Sequence, residues 1–205
     1  MVYSEAFIDK HRDINLHDCW WHDTVYDDFR LICSILGIEL DAQEPSFSGF
    51  CSQGDGASWT GRYRAQGLGY VGLVEPLYTY DLAPAKIREH APQDEELHCI
   101  ADELCLLARI YGPTYAIVRR PSSNYVHSNT MCVSEWSYYD DEIDMDDVDE
   151  KIIDHIEEAL LHAFQALADW LYKTLEAEYD YLTSDEAVID TLEANEMEEE
   201  QDEDA

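Results

Sequence analysis

The chain has 205 residues, 46% of them hydrophobic, with 46 Asp and Glu against 12 Lys and Arg. A formal net charge of -34 repels DNA and RNA, so direct nucleic-acid binding is disfavoured. Self-repulsion at this charge opposes compaction and adds nothing to the fold, so it points to a partner rather than to stability.

The N-terminus, Met1 to Glu5, has no basic region or apolar run, and no stretch is long enough to span a membrane. A cytoplasmic setting is expected. The six cysteines (Cys19, Cys33, Cys51, Cys99, Cys105, Cys132) form no CxxC pair and are read as reduced, small apolar residues.

Spacings of three and four between Trp21, Val25, Phe29, Ile32 and Leu36 predict a helix over 17–37, capped by Asp18 and ended by Gly37. Ile38 to Leu40 begins an extended segment. Residues 46–53 and 57–65 alternate around Gly54-Asp55-Gly56, which predicts a β-hairpin. The Gly-, Tyr- and Pro-rich run 67–84 reads mostly as loop. Asp94 starts a helix over 95–111 with Leu97, Ile100, Ala101, Leu104, Leu107 and Ala108 on its apolar stripe; Gly112-Pro113 stops it. Residues 115–120 and 130–138 predict a second strand pair. A long helix over 148–178 follows, with Ile152, Ile156, Leu160, Ala163, Leu167, Leu171 and Leu175 on its core face. Ser184 opens a last helix over 185–197. The expected fold is α+β: about four antiparallel strands from two hairpins, helices on one face, and a long acidic C-terminal helix. One domain over 1–197 and a disordered acidic tail over 198–205 are expected.

Residues 135–205 hold 27 of the 46 acids and only Lys151 and Lys173 as cations. Asp140, Asp141, Glu142, Asp144, Asp146, Asp147, Asp149, Glu150, Asp154, Glu157 and Glu158 form the candidate partner-binding set. Like charges one helical turn apart cost a helix about 0.2–0.5 kcal/mol per pair, yet Lys151 is the one cation interspersed among them. Carboxylates at this spacing, about 5–6 Å apart, present roughly phosphate-like charge to Lys and Arg arrays. A solvated face is the ordinary reading of such a run.

Other chemistry is weakly signalled. His17, Cys19 and His22 lack the second pair a zinc site needs, as do His98 and Cys99; no metal or other cofactor is expected. The hairpin is unlike a nucleophile elbow or a phosphate loop. Gln53, Asp55, Tyr125 and His127 are kept as a candidate pocket for a small molecule or an enzyme, but no catalytic residues emerge and no enzyme is expected.

The segment SGFCSQGDGASWTG at 48–61 resembles a phage and prophage family carrying SGFxSQGDGAxFxG. Trp20-Trp21 with Tyr26, Glu96-Leu97-His98, Tyr125 with His127, and Asp169-Trp170-Leu171-Tyr172 extend the likeness over most of 20–195. Cys51 stands where the related chains often have Trp, and the acidic C-terminal end is longer here. Members are often labelled antitoxins of toxin–antitoxin systems, which implies a toxin as partner and no catalytic residues. In charge alone the chain is similar to phage DNA-mimic anti-restriction proteins. The expected function is therefore phage-type counter-defence. The protein would occupy the basic nucleic-acid groove of a host restriction or CRISPR effector and inhibit it. Antitoxin-like binding of a toxin, and a small-molecule or enzymatic site near the hairpin turn, stand as alternatives. A homodimer stays open.

Overall fold

The computed structural model describes residues 3–17, 20–65, 79–112, 114–121, 125–138 and 149–199. Six α-helices appear among them: α1 (Glu5–Lys10), α2 (Asp23–Leu36), α3 (Thr79–His90), α4 (Glu95–Tyr111), α5 (Glu150–Leu182) and α6 (Asp185–Ala194). The strands are β1 (Ile38–Leu40), β2 (Ser46–Phe47), β3 (Ala57–Ser58), β4 (Gly61–Arg64), β5 (Thr114–Arg119) and β6 (Cys132–Tyr138). The fold is α+β, as expected. The residues fall into two compact units, 1–25 with 173–205, and 26–172.

In the larger unit, β1, β4, β5 and β6 form one antiparallel sheet in that order, and β2 and β3 form a separate two-stranded ribbon. The expected first hairpin is thus divided. Only Ser46–Phe47 pair with Ala57–Ser58, and β4 pairs with β1 and β5 instead. Gly37 makes the β1–β4 pairing possible. Its φ is +81°, and a Cβ there would lie 2.6 Å from the Arg64 carbonyl oxygen, a conformation and an approach that only glycine tolerates.

Strand alternation sorts the sheet into two faces. Ile38, Tyr63, Ala116 and Val118 are buried on one face, where Tyr63 and the buried Trp59 both meet Phe164 of α5 edge to face. The other face carries Arg62, Arg64 and Arg119, all exposed. Arg62 approaches Glu39 at 4.0 Å, Arg119 pairs with Asp41 at 3.3 Å, and Arg64 lies over the Tyr115 ring.

Helix α4 begins and ends where its sequence predicts. The Asp94 carboxylate accepts from Leu97 N at 2.8 Å, an N-cap that satisfies one otherwise orphaned amide. It also accepts from Trp170 Nε1 at 2.7 Å, which ties α4 to α5. Helix α2 starts at Asp23 rather than at residue 17, after a turn closed by Asp23 N to Trp20 O. Helix α3 occupies part of the stretch read as loop. Pro84 lies inside it, yet Ala83 and Ile87 are buried on one side.

In the smaller unit, Tyr3, Ile8, Val188 and Leu192 make a core between α1 and α6, with Phe7, Ile14, Ile189 and Met197 against it. Ser184 caps α6 through Ala187 N. Arg12 pairs with Asp9 and Asp185 and donates to the Thr183 carbonyl at 3.1 Å. Asn15 donates to Leu182 O at 2.8 Å. Glu199, within the expected tail, accepts from both Ser4 N and Ser4 Oγ.

Candidate functional site

Helix α5 supplies the acidic surface. Asp149 lies just before its first turn and accepts from Lys151 N at 2.9 Å through Oδ1, while its carbonyl accepts from Ile152 N at 2.8 Å. Asp149 is therefore a helix cap as well as a surface charge. Glu150 sits in the first turn, where the helix dipole favours an anion. Asp154, Glu157 and Glu158 follow, all exposed, and none forms an ion pair with another described residue. Their buried counterparts are Ile156, Leu160, Ala163 and Phe164. Core packing thus holds the carboxylates on a rigid row, which the exposed Lys151 interrupts with one cation. Asp140, Asp141, Glu142, Asp144, Asp146 and Asp147 lie outside the described residues.

The 48–61 motif folds into a loop that is pinned at several points. Asp55 accepts from Cys51 N at 3.0 Å and Ser52 N at 2.6 Å. Ser48 Oγ accepts from Gly56 N at 3.0 Å and donates toward Val126 O at 3.3 Å. Phe47, Phe50 and Tyr172 stack in succession at 5.4 Å centroid spacing, and Tyr172 Oη donates to Gly49 O at 3.0 Å. Gly56 lies flat against His127, where a Cβ would come within 2.9 Å of the ring. The motif's residues thus have structural work, and they leave Cys51, Ser52, Gln53 and Gly54 exposed at the tip.

That geometry also locates the candidate pocket residues. The hairpin loop and the 125–130 loop do meet, through Gly56 and His127. Asp55 is occupied by backbone amides. His127 Nδ1 accepts from Asn129 N at 3.1 Å, so the neutral ring carries its proton on Nε2. Gln53 is exposed and Tyr125 projects outward, 66% exposed. Of the four, Asp55 and His127 Nδ1 are thus engaged by backbone amides, while the Gln53 and Tyr125 side chains face outward.

Sequence reading missed a polar cluster at the base of the loop. Glu44 and Arg120 pair at 3.5 Å, with side chains only 9% and 14% exposed. Ser46 Oγ donates to Glu44 at 3.1 Å, and Arg120 donates to the buried Ser58 hydroxyl. Burial pushes the Glu44 carboxyl above its ordinary value, and Arg120 opposes that shift. A raised carboxyl pKa favours the fold at low pH. That contribution is fully present below the unfolded value and is lost as pH rises through the folded one. Arg120→Ala leaves Glu44 buried without its cation and should lower stability by about 3 kcal/mol near neutral pH. The penalty should shrink as the pH falls and Glu44 takes up a proton. Urea titrations of the variant across pH test this; a loss that is the same at every pH would contradict it.

Among the described residues, no three His, Cys, Asp or Glu side chains are grouped to hold a metal. No described helix is long and apolar enough to cross a membrane. Among the described residues, an open hollow of about 600 Å³ lies over Ala91 to Glu95 and another of about 520 Å³ between α3 and α4.

The model of a family described as a domain of unknown function, DUF8835, matches residues 21–185, and the chain belongs to that family. No curated protein and no solved structure matches the chain.

Proposed function

We propose that this DUF8835 member is a non-enzymatic inhibitor that occupies the basic nucleic-acid groove of another protein. The observation that carries this reading is the exposed row Glu150, Asp154, Glu157 and Glu158, with no ion pairs among described residues, on a helix anchored by its buried face. A groove built for phosphates holds Lys and Arg with condensed anions around them. A rigid carboxylate row displaces those anions, and their release drives association. The phage-type resemblance supports a bacterial host as the setting, and the acidic profile supports a restriction or CRISPR effector as the target. Asp140 to Asp147 complete the proposed contact set.

Affinity capture from host lysate tests it. The expected result is one nucleic-acid enzyme recovered at low salt, lost at high salt, and displaced by DNA or RNA. Recovery that ignores both salt and nucleic acid would refute the mimicry.

The pinned hairpin supports a second reading, an antitoxin-like binder that presents a preorganised loop tip to one toxin. A loop fixed before binding loses less entropy on association. In that case Gln53→Ala would weaken capture while charge changes on α5 would not.

A further inference from the structure

The outward side of α4 forms a seam with steps of three and four residues. Cys99, Asp102, Leu106 and Arg109 are all exposed along it, with Ile110 beside Arg109. Leu106 and Ile110 are 56% and 60% exposed. Ala101, Leu104, Cys105 and Ala108 are buried, so the core face of α4 is already filled and the seam is a second, outward face. The hollow between α3 and α4 runs beside this seam, walled by Pro84, Ala85, Cys105 and Leu106.

Charges of both signs border the seam, in a definite order. Arg88 of α3 donates to both carboxylate oxygens of Asp102, at 3.0 and 2.6 Å, which neutralises that acid. Two charges flank Leu106 on α4 itself: Arg109 three residues after it and Glu103 three residues before it. Glu103 also meets His162 of α5 at 3.2 Å. Opposite charges placed symmetrically about an apolar centre make a surface complementary to itself. When two copies of α4 cross antiparallel about a two-fold axis at Leu106, residues equally far before and after it face each other. Leu106 then meets Leu106 of the second copy. Arg109 meets Glu103 in both directions, and Ile110 lies opposite Asp102, beside the hollow. A contact of this kind is isologous and closes on itself. A partner of single sign, whether a basic helix, nucleic acid or an anionic lipid surface, would instead meet a like charge at one end of the seam.

We infer that the chain forms a symmetric dimer through α4, with Leu106 at the two-fold axis and reciprocal Arg109–Glu103 pairs on either side. Two bodies of net charge -34 repel each other, and the α3–α4 layer is where that repulsion is mild. Residues 135–205 hold 27 acids against two cations, whereas residues 79–111 hold seven acids against Lys86, Arg88 and Arg109. The apolar contact at Leu106 is not weakened by screening, and exposed ion pairs contribute little on their own. Repulsion between the two bodies is therefore the part that salt changes most. Its range falls from about 10 Å at 0.1 M salt to about 3 Å at 1 M, so the dimer tightens as salt is added. The proposed capture of a basic target weakens with salt. The two associations thus respond to salt with opposite signs, and neither rests on the other.

Sedimentation equilibrium of the full chain tests this, at about 0.1 M and about 1 M salt. Reducing conditions keep the exposed Cys51 and Cys99 from linking copies covalently. The native chain should sediment at twice its own mass, with the tighter association at high salt. Leu106→Glu places a carboxylate against its own symmetry mate at the centre of the contact and should weaken association about 100-fold. Arg109→Glu and Glu103→Arg, each alone, should weaken it about tenfold, because like charges then face each other twice. The double variant Arg109→Glu with Glu103→Arg restores opposite charges in the same register and should recover the native association. All four positions are on the outside of α4, so the far-ultraviolet circular dichroism spectrum should not change. A chain that stays monomeric at both salt concentrations overturns the inference. So does a dimer that weakens with salt, one indifferent to Leu106→Glu, or a charge-swapped double variant that associates no better than the single ones.

Discussion

Phe164→Ala should lower the stability of the protein by about 4 kcal/mol, the largest effect of any single truncation considered. Phe164 is fully buried, and its ring meets Trp59 at 5.4 Å and Tyr63 at 5.3 Å. Removing it deletes transfer energy and opens a cavity between a helix and a sheet. Such truncations cost about 3–5 kcal/mol because the walls relax only in part. Two edge-to-face contacts vanish as well, each worth about 0.5–1.5 kcal/mol beyond buried area. The Trp59 Nε1 bond survives, since it goes to the Phe164 carbonyl at 3.2 Å and not to the ring. Against a whole-domain stability of about 5–15 kcal/mol, the loss is a large fraction. Urea titration followed by tryptophan fluorescence measures it. A loss below about 1 kcal/mol would mean that the sheet does not rest on α5 as described.

The second large effect concerns binding. Asp154→Lys, Glu157→Lys and Glu158→Lys together should weaken capture of the proposed target about 100-fold at low salt. Each substitution reverses a charge on the exposed row, and electrostatic focusing of this kind changes association about 10- to 1000-fold. Stability should not fall in parallel. Glu150, Asp154 and Glu158 are spaced by four residues, where each like-charged pair costs about 0.2–0.5 kcal/mol; the reversals make the 150–154 pair attractive and leave the 154–158 pair like-charged, so their effects within α5 largely offset. A melting temperature that stays level or rises, beside lost capture, separates function from folding. Undiminished capture would move the weight to the hairpin tip around Gln53.

Helix α4 was legible because every signal agreed: an acidic cap, an apolar stripe at helical spacing, and Gly112 at the end. Leu106 and Ile110 fall outside the apolar face that the spacing defines and are exposed, whereas Ile152, read onto the core face of the long helix, is 45% exposed. The first hairpin misled because alternation over 46–53 implies a continuous strand. The structure ends that strand at Phe47. Beyond it, Asp55 takes up two backbone amides and Ser48 takes a third, a local competition that hydrophobic pattern does not register. Helix α3 was hidden by Pro84 and by the Gly-rich run before it. The acidic row on α5 could be read from charge and spacing alone. The Glu44–Arg120 pair could not, because it joins residues distant in sequence whose only signal is burial.

The sorting of charge across the sheet has a consequence for motion. Arg62, Arg64 and Arg119 lie on the side of the sheet turned away from Phe164, while the carboxylate row belongs to the helix packed on its other side. Balanced by Glu39 and Asp41, that outer face is near neutral while the helix layer is anionic, so the larger unit is electrically asymmetric along the direction in which its layers stack. In the field of a cationic surface such a body feels a torque as well as a pull. It turns its helix layer forward before contact, so fewer collisions arrive in an unproductive orientation.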